Sequence, residues 1–170
     1  MKQKIETLTN VAILGFLLVV AVIYITGRFS HTPQYLQIRA GDELPPLPGY
    51  SWSSHPRTLV LALRYGCHYC EESVPFYKQL IELEGSGRIK NIHVLAVFPD
   101  DAVIVERALQ LEGLSVDHIA SVPFHGLKVF GTPTVILADQ NGRVIGAWVG
   151  KLQSEDERGL VNTLELASKS

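Results

Sequence analysis

The sequence predicts an α/β domain, a mixed sheet between helices, preceded by one apolar helix at the N-terminus. Three observations predict it. Short β-branched runs alternate with stretches of helical periodicity in the order β, α, β, α. The last two strands are joined by a tight turn and closed by a helix, which adds an antiparallel edge. The opening of the chain is uncharged over a length sufficient to cross a bilayer. Two parallel-type crossovers followed by a hairpin and a helix imply three layers, αβα, with helices on both faces.

At 170 residues, with 46% apolar and 19% charged side chains, the chain has material for one globular domain and an extra segment. Its net charge of −2 offers no basic face for phosphates, so DNA and RNA are excluded as partners.

The extra segment is at the front. No charge occurs between Glu6 and Arg28, and Val11 to Ile25 is apolar if Gly15 is counted. Helical rise over residues 8–27 gives roughly 30 Å, the thickness of a bilayer core. Lys2 and Lys4 precede it and favour a cytoplasmic N-terminus. A cleaved signal peptide is the rival, but the positions after the run (Ile25 before Gly27, Arg28 before Ser30) lack the small residues that cleavage wants. The expected organisation is a cytoplasmic tail at 1–7, a transmembrane anchor in the lipid bilayer at 8–27, a tether at 28–40 and a folded domain at 41–170.

Within that domain, Gly41 to Gly49 holds three prolines and reads as an extended lead-in, with Trp52 packing nearby. Thr58 to Leu63 is a short apolar run, a buried strand. A helix follows from about His68 to Glu84, with Val74, Tyr77, Leu80 and Ile81 at spacings of three and four. Pro75 inside it removes one backbone hydrogen bond, so a kink is expected near Glu71. Asn91 to Phe98 reads as a second buried strand. Pro99-Asp100-Asp101 stops it and caps a helix reaching about Leu111, closed by Gly113. Leu114 to Phe130 shows no clear period beyond one short helix expected at Leu127 to Phe130. Val135 to Ala138 is the next strand, and Asp139-Gln140-Asn141-Gly142 a turn in which Asn-Gly supplies positive φ angles. Arg143 to Val149 returns as the antiparallel partner. Ser154 to Ala167 is the last helix, with Leu160, Val161 and Leu164 toward the core.

The only cysteines, Cys67 and Cys70, stand two residues apart where the first strand gives way to its helix. At that place the first cysteine caps the helix, where unpaired N–H groups favour its thiolate. The second lies one turn on, able to attack a mixed disulfide and release its partner. A zinc site would need two further ligands, and no second Cys-x-x-Cys or His pair stands at finger spacing. An inert bridge would close too short a loop to stabilise much. Elimination therefore favours a redox pair.

This ordered set resembles the thioredoxin fold, and more narrowly the membrane-tethered TlpA/ResA-like thiol–disulfide oxidoreductases of bacteria. The residues that carry it are the lead-in Gly41 to Pro48, the pair Cys67 and Cys70, the helix proline Pro75, the loop Gly131-Thr132-Pro133-Thr134, and the hairpin Asp139 to Val144. The resemblance covers about Gly41 to Lys151. It implies a three-layer thioredoxin-like domain on the extracytoplasmic side of the bacterial inner membrane, with no dissociable cofactor and no metal. It implies Cys67 as attacking thiol, Cys70 as resolving thiol, and a cis peptide at Pro133 packed on the disulfide. Thr132 and Pro133 would bind substrate by strand addition. The partners implied are cysteine-containing envelope proteins and a thiol redox partner in the membrane or envelope.

The chain departs from the family at three places. Gly66 stands where tryptophan is common, and His68-Tyr69 fill the space between the cysteines without proline. Ser73 stands where these proteins place an active-site glutamate, and Leu61 where thioredoxin keeps a buried aspartate. Deprotonation of Cys70 is thus left to water or to a carboxylate such as Asp100. His68, Tyr69 and Arg64 are the modulating residues: an imidazolium or guanidinium beside the sulfur lowers its pKa and raises the potential. The bland readings are a polar filler for His68 and a solvated strand end for Arg64. Two alternative activities stay open. One is a copper-delivery module using the cysteines with a histidine from His93, His118 and His125. The other is a peroxiredoxin-like peroxidase, disfavoured because Arg64 holds the place where such enzymes want threonine or serine.

Overall fold

The computed structural model describes residues 13–22 and 37–169. The chain divides into two units, Met1–Tyr35 and Leu36–Ser170. In the first, residues 13–22 are helical with exposed apolar side chains. The remainder of the expected span at 8–27 lies outside the described residues. Among those described, no helix is long and apolar enough to cross a membrane.

The second unit is built on five strands: β1 (Arg57–Ala62), β2 (Ile92–Phe98), β3 (Ile119–Ser121), β4 (Thr134–Asp139) and β5 (Val144–Val149). Their order across the sheet is β3-β2-β1-β4-β5. β1 pairs parallel with β2 and antiparallel with β4, so it is central. That is why Leu59 to Ala62 are apolar without alternation: both faces are covered and all four are fully buried. β2 carries β3 in parallel, and β5 closes the other edge antiparallel to β4.

The helices are α1 (His68–Glu72), α2 (Val74–Gly85), α3 (Ala102–Glu112) and α4 (Ser154–Ala167). The single kinked helix expected at 68–84 is thus two helices, broken at Ser73. The Ser73 hydroxyl donates to the Tyr69 carbonyl at 2.8 Å, and Pro75, which has no N–H to give, sits in the first turn of α2. Asp101 caps α3 by accepting from Val103 N–H at 2.9 Å, and Gly113 ends it in the left-handed region, as expected.

The expectation of helices on both faces is corrected. Tyr77, Leu80, Val105, Leu109, Leu160 and Leu164, from α2, α3 and α4, join one core cluster with Leu59, Leu61, Val94 and Leu137 of the sheet. The opposite cluster, around Val60, Leu95 and Ile136, is closed by Ile38, Leu44 and Leu47 of the lead-in and by a 3₁₀ turn at Phe124–Leu127. The reason is handedness. Both parallel crossovers step the same way, from β1 to β2 to β3, and right-handed crossovers in one direction put both connections on one face.

Three further expectations shift. β3 is absent from the sequence reading because three residues, Ile119-Ala120-Ser121, are too few for a period to show. The short helix expected at 127–130 lies earlier, at Phe124–Leu127, where Pro123 precedes it. In the β4–β5 turn only Gly142 takes positive φ. Asp139 supplies the rest: its Oδ1 accepts from Asn141 N–H at 2.8 Å and from Arg143 N–H at 3.0 Å.

Candidate active site

β1 ends at the top of the sheet, and Leu63 N–H extends its ladder by donating to the Val97 carbonyl at 2.9 Å. Gly66 then turns the chain at φ +68°, a conformation L-residues resist. The turn delivers Cys67 in an extended conformation as the N-cap of α1. Its Sγ accepts from Cys70 N–H at 3.3 Å, and its carbonyl accepts from Glu71 N–H at 3.1 Å. Cys67 and Cys70 are joined as a disulfide with Cα atoms 5.2 Å apart. Cys67 is half-buried and Cys70 only 6% exposed, so an incoming thiol has access to the first sulfur and not to the second.

The segment facing the sulfur opens β4, which runs antiparallel to β1 and therefore begins at the end where β1 stops. The Thr132–Pro133 peptide is cis, as the resemblance implies. Thr132 Oγ1 donates to Cys67 Sγ at 3.4 Å, and the Thr132 carbonyl oxygen stands 3.6 Å from the same sulfur. Thr134 Oγ1 ties the loop back by donating to the Gly131 carbonyl at 2.7 Å. The Pro133 carbonyl is taken up by Gly150 N–H at 2.7 Å.

The rim joins three polar side chains. His68 Nε2 lies 3.4 Å from Glu72 Oε1, one helical turn on, and Lys151 Nζ donates to Glu72 Oε2 at 3.0 Å. The Lys151 hydrogen bond holds Glu72 below the usual carboxylate range. Lys151 lies 79 residues from Glu72, and only the antiparallel return of β5 brings them together, so no local signal could have named it. Arg64, expected to act on the sulfur, instead places its guanidinium 5.9 Å from the centroid of the Phe124 ring, which fits its bland reading as a strand end. Tyr65 and Tyr69 are both more than half exposed.

Cys70 faces inward. Ser73, at the place of the family's glutamate, is buried and spends its hydroxyl on the α1 backbone. Tyr77, on the next turn, is pushed up to about 12 by burial, so it stays protonated at neutral pH and cannot accept a proton. Asp100 Oδ2 accepts from Tyr65 N–H at 3.1 Å and so ties the cysteine loop to the start of α3.

Two of the three histidines of the copper reading, His93 and His118, are engaged elsewhere. His93 stands at the start of β2, whereas Cys67 follows the end of its parallel neighbour β1. Its Nδ1 is 2.8 Å from Glu84 Oε1 and its ring stacks on His55 at 4.3 Å. His118 Nε2 bonds to the Pro48 carbonyl at 3.2 Å. Tyr50 packs against all three rings of His55, His93 and His118. These contacts fasten the lead-in to the sheet.

No protein-family model matches the chain, and no curated protein does. Solved structures do. A candidate thiol:disulfide interchange protein DsbE from Chlorobium tepidum is 24% identical, over 79% of this chain and 100% of that one, with a TM-score of 0.61. A thiol:disulfide interchange protein from Bacteroides sp. is 17% identical, over 79% and 93%, at 0.59. The thioredoxin domain of the thiol-disulfide oxidoreductase BVU-2223 from Bacteroides vulgatus is 17% identical, over 75% and 98%, at 0.55. This chain has the thioredoxin fold. Within that fold the Cys67–Cys70 bridge, the Thr132 contacts and the cis peptide at Pro133 meet at the same end of the sheet.

Proposed function

We propose that this chain is a thiol–disulfide oxidoreductase, exchanging disulfides with cysteine-containing proteins through Cys67 and Cys70. The observation that carries the reading is the unequal setting of the two sulfurs. Cys67 is accessible and receives two donors, Cys70 N–H and the Thr132 hydroxyl, while Cys70 is buried behind it. Hydrogen bonds to the charged form lower a thiol's pKa, so the reduced Cys67 is the thiolate and the nucleophile. It attacks one sulfur of a client disulfide, and the other sulfur leaves with the electron pair. Cys70, one turn away, then attacks Cys67 and frees the client thiol, which leaves the bridge oxidised. Run backward, the same steps oxidise a client.

The setting belongs to the same reading. Residues 8–27 anchor the chain in a bacterial inner membrane with Lys2 and Lys4 on the cytoplasmic side, and the domain works on envelope proteins with an envelope or membrane thiol partner. Support for this is the uncharged stretch between Glu6 and Arg28 and the lysines before it. Fractionation of cells carrying the full chain, with protease added from outside, tests the placement.

The test of the activity is equilibration of the full chain with glutathione buffers. A reduction potential between about −270 and −120 mV, the span from thioredoxin to strong oxidants, is the expected result. A pair that does not exchange with glutathione ends the proposal.

A further inference from the structure

The cysteine loop also forms the wall of a cleft whose lining does not include Thr132. It holds about 220 Å³ between α1 and α3. Its floor is Leu63, Val74, Phe98, Leu109 and Leu114, with Ala108 on the α3 side. Cys70 and Gly66 form the wall nearest the reacting sulfur. The mouth carries Glu71 from α1 and Glu112 from the end of α3. Neither carboxylate has an ion-pair partner among the described residues, and Arg64, the cation that also borders the cleft, lies against Phe124. An apolar floor with a few polar groups at its mouth is the usual form of a ligand pocket.

We propose that this cleft is a specificity pocket that takes an apolar side chain of the client polypeptide, with a basic residue beside it meeting Glu71 and Glu112. The inference rests on the exchange activity proposed above and names the client class for that site. Position supports it. Gly66 both lines the cleft and immediately precedes Cys67, and no Cβ stands between them. An extended client advances about 3.3 Å per residue, so a residue one or two places from its cysteine reaches the mouth. Charge supports it as well, because two unpaired carboxylates repel an acidic client segment and attract a basic one. The exchange step is unchanged: the client side chain occupies the cleft while its sulfur bonds to Cys67, and it leaves when Cys70 displaces it.

The test uses the full chain and three disulfide substrates: oxidised glutathione, a cystine peptide with a Leu-Lys pair next to each cysteine, and the same peptide with Asp-Asp. The expected result is a kcat/KM for the Leu-Lys peptide about tenfold or more above that of the Asp-Asp peptide. Ala108→Phe, which fills the cleft from α3, brings the Leu-Lys rate down toward the glutathione rate. The double variant Glu71→Gln/Glu112→Gln narrows the gap between peptides by raising the Asp-Asp rate, an effect that misfolding would not produce. Equal rates for the two peptides in the unmodified protein overturn the pocket, as does a preference that survives both variants. If the unmodified protein reacts with neither peptide nor glutathione, the exchange activity falls and the pocket with it.

Discussion

Thr132 meets Cys67 twice: its hydroxyl donates to Sγ at 3.4 Å and its carbonyl oxygen lies 3.6 Å from the same atom. The two contacts act on different protonation states of the reduced cysteine. The hydroxyl can stabilise a thiolate, whereas the carbonyl suits a protonated thiol, which can donate to it. Removing the hydroxyl alone therefore tilts the balance toward the thiol. Thr132→Val is expected to raise the Cys67 pKa by about half to one unit, the worth of one modest hydrogen bond. Thr132→Ser is expected to leave it near the parent. Titration of the thiolate ultraviolet absorbance in the reduced protein checks this, and a Val variant that titrates like the parent would remove Thr132 from the site's electrostatics.

The unequal burial of the sulfurs makes a second prediction. Cys70→Ser is expected to accumulate a mixed disulfide with client or glutathione, because Cys67 still attacks and nothing resolves it. Cys67→Ser is expected to form none, since Cys70 is only 6% exposed. Mass spectrometry of the unreduced proteins after exposure to oxidised glutathione reads both. Adduct on the Cys67→Ser protein would reverse the assigned roles.

Glu72 sits at the rim of the site between the His68 ring at 3.4 Å and the Lys151 ammonium at 3.0 Å. Its own titration is depressed chiefly by the Lys151 hydrogen bond, so it is a carboxylate at every pH near neutral. Glu72→Gln leaves the Lys151 ammonium without its counter-charge at the rim of the site. The expected effect is a rise in reduction potential, since a stabilised thiolate stabilises the reduced form. All three groups are solvated, so the rise is small and is expected to fade in about 1 M salt, where the screening length is near 3 Å. Equilibration with glutathione at low and high salt distinguishes it. A shift that persists in salt would have another cause.

Much of this architecture is legible in the sequence, and the exceptions have physical reasons. The final helix and the caps of α3 are read correctly because their signals are local: Asp101 and Gly113 act within two residues of where they stand. Cys67 as an N-cap is legible for the same reason. The break at Ser73 reads as a kink in the sequence because the bond to the Tyr69 carbonyl comes from a side chain, which no periodicity reports. The Glu72–Lys151 pair and the Arg64–Phe124 contact depend on elements far apart in the chain that meet only when the sheet closes. The cleft beside Cys70 is a product of packing α3 on the same face as α1 and α2, where the element order points to helices on both faces.

The turn at Gly142 tests the fold rather than the chemistry. Gly142 holds φ +77°, and a Cβ there would meet the Trp52 ring at 3.0 Å. The ring has little room to move, because Trp52 Nε1 donates to the Pro45 carbonyl at 3.2 Å and so joins the lead-in to the hairpin. Gly142→Ala is expected to cost about 1–3 kcal/mol, from backbone strain and displacement of the ring together. Gly41→Ala has positive φ but open space around it, and is expected to cost less. Urea unfolding followed by tryptophan fluorescence compares the two, and equal losses would show that the Trp52 contact adds nothing.

The stacked imidazoles under the lead-in give the domain a pH response. His55 is held below the usual histidine range, first by burial and then by the neighbouring His93, so it resists protonation in the folded state. The unfolded chain protonates His55 near pH 6.5, its ordinary value. Above that pH both states leave it neutral, and its contribution to stability is fully present. As pH falls below 6.5 the unfolded state takes up the proton first, and stability declines until the folded-state pKa is passed. His55→Asn is expected to flatten this decline between about pH 7.5 and 5.5, a range chosen around the ordinary histidine pKa. The loss from the site is no more than modest, because the ring is partly solvated and burial is its main cause. Urea midpoints of parent and variant across that range provide the measurement. Parallel slopes would mean that His55 does not govern the acid response.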